Sequence, residues 1–242
     1  CAHAGPRGGA ANRGSDWCRP VGTTHTRRVA DDLRSVARDR WLHEHLHRAD
    51  LDADPIAQFR RWQGEITDAG VFEPAAMVLV TADGEGRPSA RHVLLRGVDA
   101  EGFTFFTNYD SRKGRELAHN PNATLLFPWA ELGRQVIVEG AVAPTSREVS
   151  AAYFATRERQ SQLSAWASEQ SRPVADRAAL DARYEEVAAE WEGREVECPP
   201  FWGGFNLRPS AVEFWQQRPS RRHDRFRYTR AAGAWQITRL QP

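Results

Sequence analysis

The sequence predicts an α+β fold, an antiparallel barrel of short strands carrying helices, and three observations predict it. From Ala76 onward, short apolar and β-branched runs are punctuated by turns rich in Gly and Asp. Residues 146–192 switch to a helical period. From about residue 203 the pattern returns to strands, so two β regions enclose the helices and fit one domain better than two. A chain of 242 residues, 40% hydrophobic and 27% charged, can build the core such a domain needs.

Residues 1 to about 35 are rich in Gly, Ala, Arg and Thr, with few large apolar side chains. They lack an amphipathic period, so a disordered extension over 1–40 is expected ahead of a single domain at 41–242. A targeting segment is the alternative, because transit peptides are also arginine-rich and poor in acids. Asp54-Pro55 reads as a helix start, with Asp as N-cap and Pro in the first turn. Ile56, Phe59, Ile66 and Ala69 follow at helical spacing, and Gly70 is the expected C-cap.

Met77–Thr81 reads as a strand, Asp83–Gly86 as a turn, and Ser89–Arg96 as the returning strand. Asp99–Gly102 turns into Phe103–Thr107. A short helix from Ser111 precedes strands at Ala123–Trp129 and Arg134–Val142. Asp176–Trp191 is the clearest helix, with Leu180, Tyr184, Val187, Ala188 and Trp191 on one stripe. Strands are expected at Phe205–Leu207, Val212–Trp215, Arg225–Tyr228 and Trp235–Leu240.

The net charge of +1 is too balanced for nucleic acid or an acidic membrane as the main partner. Lys113 is the one lysine among 33 basic residues, a bias toward arginine that lets Arg stand where relatives use Lys. Cys1, Cys18 and Cys198 are too few and too scattered for a zinc site or a disulfide framework, so no metal is expected and a reducing cytoplasm is the simplest setting. No apolar run approaches the roughly 18–20 residues that span a bilayer.

Four constellations could carry chemistry. Ser111-Arg112-Lys113-Gly114 opens a helix, where free N–H groups and the dipole favour an anion. Two cations in that first turn are unfavourable unless an anion is near, and a phosphate would relieve them, although a solvated basic turn would look the same. Tyr153, Arg157 and Ser161 fall at i, i+4 and i+8, so a continuous helix would gather a phenol, a guanidinium and a hydroxyl suited to a phosphate ester. Spacing alone does not separate that from an ordinary surface helix. On a strand, Arg221, His223 and Arg225 would share one face, with Trp215 as a nearby aromatic wall. In Arg91-His92-Val93-Leu94-Leu95-Arg96, strict alternation puts the two arginines on opposite faces, so serving one site would need a bulge or a second subunit. Hydrolase, zincin, P-loop and G-x-G-x-x-G motifs are missing from the sequence. Basic clusters with aromatics but no nucleophile suit a phosphorylated cofactor that brings its own reactivity.

Several short motifs then occur in a specific order. Arg91–Arg96, Phe106-Thr107-Asn108, Ser111–Gly114, Phe127-Pro128-Trp129 and Arg134-Gln135-Val136 come first. Tyr153-Phe154, Ser161-Gln162, Ala165-Trp166, Gln170-Ser171 and Phe201–Gly204 follow, then Glu213–Gln216, Arg221–Arg225 and Arg239–Pro242. From about residue 50 to the C-terminus the chain resembles the pyridoxamine 5'-phosphate oxidase family.

The resemblance implies a Greek-key-like split β-barrel with flanking helices. It also implies a homodimer, joined through a region at about 200–242, with flavin mononucleotide (FMN) at the subunit interface. Arg91 and Lys113 would hold the flavin phosphate, with Arg112 beside them, and His92, Val93, Leu94, Leu95 and Arg96 would continue along the flavin. Phe106, Thr107, Gln135, Gln170, Ser171, Trp215 and Arg225 would complete the pocket, some from the partner chain. Arg96, Tyr153, Arg157 and Ser161 would grip a substrate phosphate. Arg221 and His223 would be catalytic over the substrate ring, with Arg222 beside them.

The implied reaction oxidises pyridoxamine or pyridoxine 5'-phosphate at C4', with hydride transfer to flavin N5 and dioxygen reduced to hydrogen peroxide. Three features depart from the family pattern. Arg96 replaces the usual Lys, Arg157-Glu158-Arg159 replaces an R-P-[RK] turn, and Arg38-Asp39-Arg40-Trp41 replaces an N-terminal Arg-Arg-Glu-Tyr. Rival readings are a phenazine-type enzyme on the same barrel, a non-catalytic flavin or vitamin B6 carrier, and an arginine-rich nucleic-acid binder.

Overall fold

The computed structural model describes residues 45–231 and 233–242. The expected extension at 1–40 and the Arg38–Trp41 pattern lie outside them. The first described helix, α1 (Pro55–Asp68), starts as the sequence requires, with the Asp54 side chain accepting from the Ile56 and Ala57 N–H groups. It ends one residue before the expected cap: Ala69 is the C-cap, and Gly70 follows in the left-handed region at φ 69°.

Among the described residues, nine antiparallel strands form one sheet. They are β1 (Ala76–Ala82), β2 (Pro88–Leu94), β3 (Gly97–Asp99), β4 (Gly102–Asn108), β5 (Asn122–Phe127), β6 (Arg134–Pro144), β7 (Trp202–Gln216), β8 (Asp224–Ala231) and β9 (Ala234–Arg239). The main order is β2-β1-β5-β6-β7-β4-β3, with β8 on β7 and β9 on β8. The outermost strands of that order, β2 and β3, are joined in sequence through Leu95 and Arg96 alone. The sheet therefore curls back on itself as a split barrel.

Three strand expectations change, and the simplest is Ala123–Trp129, which stops at Phe127 because Trp129 already leads into a short 3-10 turn. Phe205–Leu207 and Val212–Trp215 are parts of a single 15-residue β7, which pairs β4 with its first half and β8 with its second. Pro209 is tolerated inside it because the register with β6 shifts between Glu139 and Gly140, a bulge that interrupts the ladder there. Ser89–Arg96 is shorter than expected. β2 stops at Leu94, and the next two N–H groups switch partners, Leu95 to the Ala75 carbonyl and Arg96 to the Thr104 carbonyl.

The inward faces of these strands pack on α1. Phe59, Trp62 and Ile66 are fully buried against Met77, Leu79, Phe103 and Phe127. Phe59 meets Phe103 edge-on at 4.9 Å and Phe127 at 4.7 Å. Losing the Phe59 ring would cost about 3–5 kcal/mol by transfer and cavity terms together.

Helices α3 (Arg147–Ala155), α4 (Arg159–Ala167) and α5 (Arg177–Glu190) form a second layer around Phe154, Leu163, Val187 and Trp202. The expected α5 stripe is buried only in its later half: Val187 is 1% exposed and Leu180 43%. The first half of the helix runs beyond the cluster. Between α4 and α5, residues 168–176 are not helical; Pro173 lies there, and Asp176 caps the new start through the Ala179 N–H.

Candidate functional site

Helix α2 (Arg112–His119) begins where β4 ends. The Ser111 hydroxyl caps it by accepting from the Gly114 N–H. Residue 114 must be glycine, because a Cβ there would lie 2.0 Å from the Tyr109 carbonyl oxygen. This tight entry turns Lys113 inward. Its ammonium is buried and donates to Gln170 Oε1 at 2.6 Å, Thr107 Oγ1 at 3.1 Å and Ser111 Oγ at 3.2 Å. Burial lowers its pKa to about 8; the nearby Arg91 adds to the shift and Glu116 opposes it.

Lys113 opens onto a cavity of about 320 Å³ whose lining includes Arg91, His92, Val93, Leu94, Arg96, Phe106, Thr107, Tyr153, Arg157 and Gln170. Arg91 and Lys113 of one expected phosphate-binding group and Arg96, Tyr153 and Arg157 of the other thus share one cavity. Arg91 and Arg96 reach it together without a bulge or a second chain, because the break after Leu94 ends the strand alternation. Leu95 behaves differently: its side chain is 5% exposed and belongs to the barrel core.

The continuous helix expected through Tyr153, Arg157 and Ser161 is not formed. α3 ends at Ala155, Thr156 caps it, and α4 restarts at Arg159. Tyr153 and Arg157 still line the cavity, whereas Ser161 falls in the first turn of α4 and outside the lining.

Phe106 stacks on Tyr153 at 4.0 Å and on Trp202 at 5.5 Å, and Arg157 lies over the Trp202 ring at 4.9 Å. Arg157 Nη1 is buried and has no hydrogen-bond partner. An unsatisfied guanidinium nitrogen beside a cavity is costly and matches an anionic ligand.

Three contributors were not expected as site residues: Asn108 and Trp202 in the lining, and Glu116 behind it. Trp202 had a signal in the Gly203-Gly204 that follows it. A Cβ at Gly204 would meet Thr145 Oγ1 at 2.5 Å and the Phe106 ring at 2.8 Å, so close packing behind the aromatic stack needs glycine. Glu116 is 6% exposed and accepts from Thr81, Ser89, Arg91 and Arg112. Burial alone would raise its pKa, but the hydrogen bonds from Ser89, Thr81, Arg112 and Arg91 outweigh burial and bring it to about 2. The anion expected near the cations of this helix start is therefore present within the chain. Arg112 turns toward Glu116 and does not line the cavity.

The remaining expected residues lie elsewhere. Gln135 pairs with Trp215 across β6 and β7, and Trp215 with Arg225 across β7 and β8. All three are half-buried between buried neighbours, so they form one row on the outer face of the sheet. Arg225 is held by Glu213 through Nε at 2.9 Å.

Arg221 and His223 do not lie on a strand with Arg225, because β8 begins only at Asp224. They belong to a turn in which Ser220 and Arg221 take left-handed φ values of 57° and 58°. Two consecutive left-handed residues cannot continue a ladder. The turn still brings His223 to 4.6 Å from the Trp215 ring. The Arg218 N–H donates to His223 Nδ1 at 3.1 Å, which leaves Nε2 as the protonated donor in the neutral ring. Arg222 is exposed on the same turn. Ser171, at φ 72°, lines a separate cavity of about 930 Å³ beyond Gln170, together with Trp166 and Phe201.

Comparison with known proteins adds the following. Residues 65–190 match the family described as pyridoxamine 5'-phosphate oxidase. Residues 202–242 match the pyridoxine 5'-phosphate oxidase C-terminal dimerisation region. The pyridoxine/pyridoxamine 5'-phosphate oxidase of Paraburkholderia phymatum is 57% identical over 195 residues, covering 80% of this chain and 92% of that protein. That of Rubrobacter xylanophilus is 56% identical over 211 residues, covering 87% and 97%. Among solved structures, PhzG from Burkholderia lata 383, in complex with tetrahydrophenazine-1-carboxylic acid, superposes with a TM-score of 0.77 at 34% identity, covering 82% of this chain and 98% of that one. An FMN-binding protein of Nostoc punctiforme shares the fold with a TM-score of 0.64 at 16% identity, covering 79% and 100%. No helix among the described residues is long and apolar enough to cross a membrane.

Proposed function

The chain belongs to the pyridoxamine 5'-phosphate oxidase family, and we propose that it oxidises pyridoxamine or pyridoxine 5'-phosphate to pyridoxal 5'-phosphate with bound FMN. One observation carries this reading. A single cavity is lined by two cationic groups, Arg91 with Lys113 and Arg96 with Arg157, and a buried guanidinium nitrogen of Arg157 has no partner. Two such groups fit two phosphates, one from a cofactor and one from a substrate. At about 320 Å³ the cavity falls in the lower range for small-molecule sites, roughly 300–1,000 Å³.

In this reading Lys113, Arg91, Thr107 and Gln170 hold the cofactor phosphate, with Arg112 joining through Glu116. Arg96, Tyr153 and Arg157 grip the substrate phosphate, and Ser161 completes that grip from the start of α4. Gln135, Ser171, Trp215 and Arg225 close the flavin site across a homodimer interface. Arg221 and His223 orient the substrate ring, His223 through its Nε2–H. When bound, the flavin supplies the redox chemistry, accepting a hydride from C4' and returning the electrons to dioxygen as hydrogen peroxide. The protein aligns C4' and excludes alternative poses. For the amine, water and dioxygen are consumed, and the aldehyde, ammonia and hydrogen peroxide are released.

The test is an absorption spectrum of the purified protein before and after pyridoxine 5'-phosphate is added without oxygen. Bleaching that reverses in air is expected. A flavin that stays oxidised moves the substrate to the phenazine type or makes the protein a carrier. If added FMN does not bind, the cofactor assignment is lost.

A further inference from the structure

The carboxylate of Glu116 lies behind the cavity. Its Oε2 accepts from Ser89 Oγ at 2.6 Å, from Arg91 Nη2 at 3.2 Å and from the Thr81 hydroxyl. Its Oε1 accepts from Arg112 Nε at 2.8 Å. Thr81 and Ser89 stand opposite each other on β1 and β2, and each also accepts from Arg91, whose Nη1 reaches the Leu79 carbonyl at 3.2 Å. Arg91 is thus pinned through both terminal nitrogens. Lys113, three residues before Glu116 on the same helix, donates to neutral oxygens. The cluster has one anion, the buried Glu116, among three cations, and of the two cations that line the cavity Arg91 is paired with that carboxylate while Lys113 is not.

We propose that Glu116 is the positioning residue of the phosphate cradle: by anchoring Arg91 and Arg112 it fixes where the positive charge lies, and so makes the site select a phosphorylated flavin over an unphosphorylated one. The proposal rests on the FMN reading above. Its sign is opposite to simple charge counting. As a bare negative charge, Glu116 would repel a phosphate, and its removal would tighten binding. As an anchor, its removal frees Arg91 to leave its place, and binding weakens although the site has become more positive.

The test titrates the full chain, stripped of flavin, with FMN and in parallel with riboflavin, following flavin fluorescence. Glu116→Gln is expected to raise the FMN Kd about tenfold and to leave the riboflavin Kd within about twofold. In an Arg91→Ala background the same substitution should add little, because its effect passes through Arg91. FMN affinity is expected to fall above about pH 8 as Lys113 of the flavin-free protein loses its proton, and Glu116→Gln should move that fall to lower pH, since Glu116 supports the charge of Lys113, whose other charged neighbour is Arg91.

An FMN Kd that is unchanged or lower in Glu116→Gln, with wild type binding FMN, overturns the positioning role alone. A wild-type chain that binds no FMN overturns the FMN reading and this inference together. If Glu116→Gln does not fold, Ser89→Ala decides, since it removes one donor to Glu116 and one acceptor from Arg91. It should weaken FMN about threefold with riboflavin unaffected, and an unchanged FMN Kd overturns the proposal.

Discussion

The cavity and the outer row on β6, β7 and β8 are built in opposite ways. Around the cavity, residues from β2, β4, α2 and α3 converge within one chain, where Arg91 and Lys113 are held by neighbouring side chains and Arg157 keeps one buried nitrogen without a partner. Along the row, Gln135, Trp215 and Arg225 lie side by side on the sheet surface, with His223 packed on Trp215 from a strained turn. The first region is concave and needs only a ligand. The second is laid out flat, and Trp215 and Arg225 fall within the stretch that matches a dimerisation region, which points to a second copy as what covers it. Under the proposed function, one chain furnishes the phosphate-binding half of the site and a second copy supplies the other half across an isologous interface.

The largest expected effect tests that division directly. Lys113→Met disables the cavity. Arg221→Gly disables the turn beside the row, and glycine accepts the left-handed φ of residue 221 without strain. Each variant alone should lose about a hundredfold in kcat/KM, as expected for one charge-assisted contact to a phosphate or substrate. Unfolded together and refolded, they should recover about a quarter of wild-type activity, because half the dimers are mixed and each mixed dimer holds one intact site. No recovery, with mixed dimers verified by mass, would place both regions in the same subunit's site and end the comparison.

A middle-sized effect sharpens the difference inside the cavity. Arg157→Leu keeps much of the packing on Trp202 and removes the buried nitrogen without a partner. The KM for pyridoxine 5'-phosphate should rise about tenfold or more, while the FMN Kd stays within twofold. The thermal midpoint of the flavin-free protein should not fall, because the lost group contributes desolvation cost rather than a hydrogen bond. A parallel loss of FMN binding would mean that the two cationic groups of the cavity are not separate.

Most of this arrangement could be read from the residues, and the gaps have physical causes. Asp54 and Ser111 announced their helices because N-cap chemistry is local. Lys113, Arg91, Arg96, Tyr153 and Arg157 could be singled out as candidate anion ligands because charge is visible in a sequence and an ordered set of motifs resembles a family. Their geometry was not. Whether Arg91 and Arg96 meet depends on a strand breaking after Leu94, where the Leu95 N–H bonds back to the turn residue Ala75 and the Arg96 N–H to Thr104 on β4. Tyr153 and Arg157 meet across a helix end instead of along one helix. Arg221 and His223 project from a left-handed turn that no alternation rule describes. Glu116 escaped notice because the anion expected at this helix start was sought in a ligand, although Arg112 and Glu116 stand at i and i+4.

The smallest effect concerns protons. Lys113 has a pKa of about 8 in the flavin-free protein, against about 10.4 for an unperturbed lysine. Because the folded value is depressed, the unfolded chain binds more protons between about pH 8 and pH 10.4, and the penalty of burying this charge is relieved as pH rises through that window. Folding stability of the flavin-free protein should therefore gain a contribution there, while FMN binding moves the other way. A bound phosphate restores the proton to Lys113, so binding takes up a proton above pH 8. Affinity should be flat below that pH and about fourfold weaker by pH 8.5, with riboflavin binding level throughout. Lys113→Met removes both trends. If the FMN Kd instead stays level from pH 7 to pH 9, Lys113 keeps its proton in the free protein, and the cavity is better hydrated around that ammonium than its burial implies.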